Sequence, residues 1–217
     1  MKHLRLHRKQ NITSISFKEE WKNTPVVIYP NGLGKVRDLV GLLPEIKNLN
    51  VKFFLDGSKE ENYEAVQILS SLGVYSGIVM DEKTDWERLT DLMYYALCGK
   101  VPHAPIEPFQ FVYEMYNRNR LVDYGRVYFE ETNGLSDADE LYLTTKNTME
   151  PQSAQRLKTS VGGWQRFFYE STECAACEGW RICMGKYAEM TDKTGCQKFM
   201  TEWLNTIEEL KFKTPNP

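Results

Sequence analysis

The sequence predicts an α/β protein: a partial barrel of βα units, followed by a small α+β region built around cysteines. Three observations carry this prediction. Short apolar runs alternate with amphipathic stretches up to about residue 100. The pattern then changes at a proline-bearing connector. Four of the five cysteines fall within 23 residues near the end of the chain.

The first strand lies at Pro25–Pro30 (PVVIYP), a buried run with proline at both ends. Asn31–Lys35 (NGLGK) is a turn, and it lacks the spacing of a phosphate loop. Val36, Leu39, Val40 and Leu43 recur at helical spacing, which predicts a helix over Val36–Ile46. Val51–Leu55 (VKFFL) is the second strand, closed by the turn pair Asp56-Gly57. Ser58 and Glu61 match a capping box, and the helix behind them carries Tyr63, Val66, Leu69 and Leu72 on one face until Gly73 ends it. Val74–Met80 is the third strand. Thr84 and Glu87 match a second capping box, opening a helix with Trp86, Leu89, Met93 and Leu97 that stops at Gly99. Three strand–helix units joined by short turns imply a parallel sheet. A closed barrel of eight such units needs about 250 residues, so three units give half a barrel or a small open sheet.

His103–Pro108 (HAPIEP) is the connector, which divides the chain into residues 1–102 and 103–217. Phe109–Tyr116 is rich in aromatics and reads as strand or helix. Phe109, Phe111, Tyr113 and Tyr116 suit a core; the alternative is an open strand edge that takes up a peptide. Arg126–Glu130 and Glu140–Thr144 read as two strands around the loop Thr132–Asp139, and Asn147–Gln165 is polar with weak periodicity. Gly195–Phe212 is a helix, with Phe199, Trp203, Ile207 and Leu210 on one face.

Composition narrows the function classes. The 217 residues are 41% hydrophobic and 26% charged, which is globular rather than disordered. The net charge of -3 speaks against a nucleic-acid binder, which usually carries a basic excess. No run of about 18 apolar residues offers a membrane span. The basic start, Lys2–Lys9, has no apolar segment behind it and reads as a frayed end rather than a secretory signal. The expectation is a cytoplasmic protein with reduced thiols. His3, His7 and His103 are scattered and suit surface roles. Glu130, Glu131, Asp137, Asp139 and Glu140 read as solvated loop charges rather than an acid–base pair.

In a reducing compartment, clustered cysteines point to metal before disulfide. The spacing is Cys174-x2-Cys177-x5-Cys183-x12-Cys196, with Cys98 alone. A C-x2-C turn directs two thiolates at one centre, a third cysteine wraps back, and a fourth just ahead of a helix closes the site. Four thiolates satisfy an iron–sulfur cluster or a tetrahedral zinc ion equally well. Four reduced buried cysteines with no metal, or a redox C-x2-C pair, are the remaining readings. Trp180 and Ile182 are placed to shield such a centre, and Gly179, Gly185 and Gly195 permit close backbone approach.

The segment ECAACEGWRICMGKY resembles the C-terminal part of SPASM domains, which end many radical-SAM enzymes that modify peptides and proteins. The second half of that family's pattern runs C-x2-C-x5-C-x3-C, with a final cysteine after a gap. Cys174, Cys177 and Cys183 match its first three positions, and Cys196 matches the last. The resemblance implies that these four hold one 4Fe–4S cluster. The fourth position of the pattern, which serves another cluster in the family, is Tyr187 here, and the family's earlier cysteine pair is missing. Leu55–Val74 resembles a strand–turn–helix segment of SPASM-bearing radical-SAM barrels. The C-x3-C-x2-C motif that binds the catalytic cluster and S-adenosylmethionine is absent from the sequence.

The resemblance therefore implies no cleavage of S-adenosylmethionine; the sequence offers no catalytic constellation, and an autonomous enzyme stays an open alternative. The resemblance implies an iron–sulfur accessory protein whose partner is a radical-SAM maturase or its precursor peptide, with no nucleic acid and no membrane involved. The alternatives are a zinc-stabilised protein-interaction module on the same cysteines, and a substrate-binding half barrel in which the metal only staples the fold.

Overall fold

The computed structural model describes residues 4–49, 51–119, 172–183, 187, 190 and 193–213. Its centre is a parallel sheet of five strands whose spatial order follows the chain: β1 (Leu4–His7), β2 (Val26–Tyr29), β3 (Val51–Asp56), β4 (Ser76–Val79) and β5 (Ile106–Glu107). Three helices connect them, α1 (Val36–Asn48), α2 (Glu61–Ser71) and α3 (Trp86–Cys98). The protein is thus α/β and built of βα units, as the alternating pattern predicts.

Strand periodicity sorts the side chains onto two faces. Val26, Ile28, Val51, Phe53, Leu55, Ile78 and Ile106 belong to the main apolar core, together with residues of the helices. The opposite face buries a smaller cluster of Val27, Tyr29 and Phe54, with Val79 against it. Both faces of β2 are covered, so VVIY reads as an unbroken apolar run.

Two strands escape the sequence reading. The basic start is not frayed: Leu4–His7 pairs in parallel with Val26–Tyr29. The connector HAPIEP contains β5, where Ile106 pairs with Ser76 and Glu107 with Gly77. The aromatic run is a helix, α4 (Phe109–Asn117), with Phe109, Phe111 and Val112 buried. A helix satisfies its own backbone, so this segment offers no strand edge to a peptide.

Both capping boxes are also corrected. The Ser58 hydroxyl and amide donate to the Asp56 carboxylate two residues back, and α2 begins at Glu61 without a side-chain cap. For α3 the cap is Asp85, which accepts from the amides of Glu87 and Arg88. Thr84 instead accepts from the Asp81 amide. In each case a carboxylate close in sequence is the stronger acceptor. The predicted strands at Arg126–Glu130 and Glu140–Thr144, the loop carboxylates and Asn147–Gln165 lie outside the described residues.

The last long helix, α7 (Thr194–Lys213), packs on α3, on α4 and on the short helix that holds Cys183. Its predicted face is the buried one: Phe199, Trp203 and Ile207 are at most 1% exposed. Each such side chain contributes about 1.5–3 kcal/mol by leaving water. Phe109 meets Trp203 edge-on at 5.2 Å between ring centroids, joining α7 to the sheet-bearing part of the chain.

Candidate metal centre

Two short helices carry the first three clustered cysteines. Cys174 lies in α5 (Thr172–Ala176) and Cys183 ends α6 (Trp180–Cys183). Between them the backbone turns tightly: the Cys177 amide donates to the Cys174 carbonyl at 3.3 Å, and the Trp180 amide to the Cys177 carbonyl at 3.1 Å. The Cys183 amide donates to the Gly179 carbonyl at 3.0 Å, which closes the loop. Cys196 comes from the first turn of α7, and its thiol sits 3.2 Å from the Lys193 carbonyl.

Cys174, Cys177, Cys183 and Cys196 line one cavity, completed by Trp180, Tyr187, Gln197 and Met200. Among the described residues no disulfide joins them. Cys174 and Cys177 are half-buried, whereas Cys183 and Cys196 are buried. Burial pushes the Cys196 thiol up to about 12, and charge on Cys183, Cys174 or Cys177 pushes in the same direction, with Lys193 opposing. All three other cysteines thus act electrostatically on Cys196. Yet among the described residues no group of three or more His, Cys, Asp or Glu side chains stands in an arrangement that could hold a metal ion. The four thiols share a cavity without taking up ligand geometry. The donor set has the chemistry of a soft metal centre.

Close packing places the two halves of this site. A Cβ at Gly179 would stand 2.4 Å from the Cβ of Met200 and 2.8 Å from the Thr201 amide nitrogen, so the cysteine loop lies directly on α7. An ion pair of 3.2 Å joins Lys193 to Glu173, next to Cys174, and Arg181 reaches Glu208 at 3.5 Å. The Arg181–Glu208 pair is largely exposed and contributes at most about 1 kcal/mol, whereas the Lys193 side chain is mostly buried beside an exposed Glu173. Close approach at Gly179 and Gly195 agrees with the sequence expectation; Gly185 lies outside the described residues. Ile182 is fully buried and Trp180 lines the cavity.

Other sequence candidates fall elsewhere. Cys98 ends α3 and is exposed, apart from the cavity lining. His103 has its Nδ1 3.0 Å from the Ser70 hydroxyl and stacks on Tyr95 at 4.9 Å, contacts that hold the approach to β5. His7 stacks on Tyr29 with 4.7 Å between centroids. Sequence reasoning missed Met200 and Gln197 as lining residues. Met200 follows Cys196 at the helical spacing of four, the signal that would have found it, whereas Gln197, one residue on, carries no such signal. It also missed Trp86, whose indole meets Tyr187 edge-on at 5.0 Å and Phe199 at 5.8 Å.

Fold and site together define an α/β protein with a thiol-lined cavity between its cysteine loop and its C-terminal helix. No protein-family model matches the chain, and no curated protein or solved structure matches it.

Proposed function

We propose that this chain is an iron–sulfur accessory protein that holds one 4Fe–4S cluster on Cys174, Cys177, Cys183 and Cys196. The observation that carries the reading is the shared cavity of these four thiols, at the spacing of a SPASM half-site. Cluster assembly would draw the four sulfurs inward, since metal binding and local folding are coupled. A bound cluster would supply one-electron transfer. With four cysteine ligands it would keep no open iron position for a substrate.

The sequential parallel sheet supports reading the first part as a partial barrel, and the cavity shared by four cysteines supports reading the cysteine region as SPASM-like. Tyr187 supports the loss of a second cluster: where the family pattern has a cysteine, this chain has a ring buried against Trp86. The partner class is a radical-SAM maturase or its precursor peptide, served by electron relay or peptide presentation.

A second reading, a zinc-stabilised interaction module, draws on a different observation. Cys183 and Cys196 belong to the main apolar core, where a redox-silent ion would staple α7 to the rest of the chain. Anaerobic purification with an absorption spectrum and metal analysis separates the two. A brown protein with about four iron and four sulfide per chain, lost in Cys177→Ala, supports the cluster. A colourless protein with about one zinc overturns it and supports the staple. A protein with neither metal overturns both.

A further inference from the structure

We propose that Lys193 is the counter-ion of the thiol cavity: its ammonium offsets the negative charge that Cys174, Cys177, Cys183 and Cys196 acquire on holding a metal. This inference rests on the reading that the four thiols bind a metal, and it is the same for a cluster and for a zinc ion. Four thiolates outweigh the positive charge of either centre, so negative charge is left over in a cavity with apolar walls. Charge taken from water without a partner is costly.

Geometry puts Lys193 at the junction of the two cysteine segments. Its backbone carbonyl lies 3.2 Å from the Cys196 thiol. Its side chain is only 18% exposed, and its ammonium lies 3.2 Å from the carboxylate of Glu173, the residue before Cys174. One cation thus spans from the residue ahead of α7 to α5. Its charge acts on Cys196 and opposes the effect of burial there. Arg181, in α6, is turned instead to Glu208 and is 69% exposed, so water screens it.

The simplest competing account is a clip, in which the Lys193–Glu173 pair ties α5 to α7 and does nothing more. Glu173 is 68% exposed, and an ion pair with one partner in water holds little. A clip asks nothing of which partner is covered; a counter-ion asks that the lysine be. The two accounts also differ in sign. A clip is broken by removing either partner. A counter-ion is lost with Lys193 but strengthened by removing Glu173, which competes with the thiolates for the same ammonium.

The test is an anaerobic Co²⁺ titration of the full, reduced chain, read by the absorption of cobalt bound to thiolate. Affinity should fall about tenfold in Lys193→Met, the scale of one partly screened charge. Lys193→Arg keeps the charge and should keep most of the affinity. Glu173→Gln should bind about threefold tighter, a smaller change because Glu173 faces water. Methionine preserves the covered stem of Lys193, and Glu173 is exposed, so neither substitution disturbs the packing. The proposal is overturned by unchanged affinity in Lys193→Met, by an equal loss in Lys193→Arg, or by Glu173→Gln weakening binding as Lys193→Met does. Any of these, with Co²⁺ still bound by the parent, overturns the counter-ion alone. No uptake of Co²⁺ by the parent overturns the metal reading with it.

Discussion

Gly195 lies flush against the indole of Trp86: a Cβ added to Gly195 would stand 2.5 Å from Cδ1 and 3.0 Å from Cγ of that ring. Trp86 opens α3, and Gly195 is in the first turn of α7, directly before Cys196. This contact, together with Gly179 against Met200, places the fourth cysteine relative to the other three. The same indole receives Tyr187 and Phe199, so the cavity and the core share a wall.

Gly195→Ala should destabilise the protein. In an ordinary helix the change gains about 0.5–1 kcal/mol. Here the new methyl strikes an aromatic ring held on several sides, and overpacking of that kind costs about 1–3 kcal/mol. The net expectation is a lower urea midpoint. A midpoint equal to or above that of the parent would show that the indole moves freely.

Gly41→Ala should do the opposite. Gly41 lies within α1, is exposed, and has nothing within 4 Å of the point where an added methyl would stand. With no steric term, the reduced freedom of the unfolded chain leaves a gain of about 0.4–1 kcal/mol. A raised urea midpoint with unchanged slope checks it. A loss of stability would mean that this face of α1 is covered in solution.

Asp85→Ala removes the acceptor for the amides of Glu87 and Arg88. The cost of losing such a cap is about 1 kcal/mol. For a chain of this size that lowers the melting temperature by about 2–4 °C. The adjoining Arg88–Asp85 pair, at 3.7 Å and half exposed, adds little. An unchanged melting temperature would rule out Asp85 as the cap.

Tyr63 makes stability fall at alkaline pH. Its hydroxyl donates to the Gly57 carbonyl at 2.6 Å and also lies 3.1 Å from the Asp85 carbonyl. Burial, followed by the charge of Asp85, Asp81 and Asp56, holds the phenol well above its ordinary value. The folded state thus keeps a proton that the unfolded state releases near pH 10 (about the free tyrosine value). The contribution is complete below that pH and is lost as pH rises toward the folded value. Tyr63→Phe should be less stable than the parent by about 1 kcal/mol at neutral pH. Between about pH 9 and pH 11 that gap should shrink, as read by denaturant titration at each pH. A gap constant over this range would refute the argument.

The parts of the fold legible in sequence are those with enough residues to show a period. β2 and β3 are apolar runs, and the helices between strands repeat at helical spacing. β1 has four residues, with Arg5 and His7 among them, and β5 has two. Such segments carry too little pattern of their own; they are strands because β2 and β4 present unpaired backbone to them. The caps are hidden from the sequence for a related reason. A four-residue motif cannot register that Asp56 or Asp85 competes for the same donors.

The sequence by itself determined the alternating α/β order and the clustering of four cysteines at a metal-ligand spacing, because both depend on residues near one another along the chain. Only the tertiary structure decided that Cys196 faces Cys174, Cys177 and Cys183 across one cavity. That meeting rests on Gly179 against Met200 and Gly195 against Trp86, where the absence of a side chain lets segments distant in sequence approach to van der Waals contact.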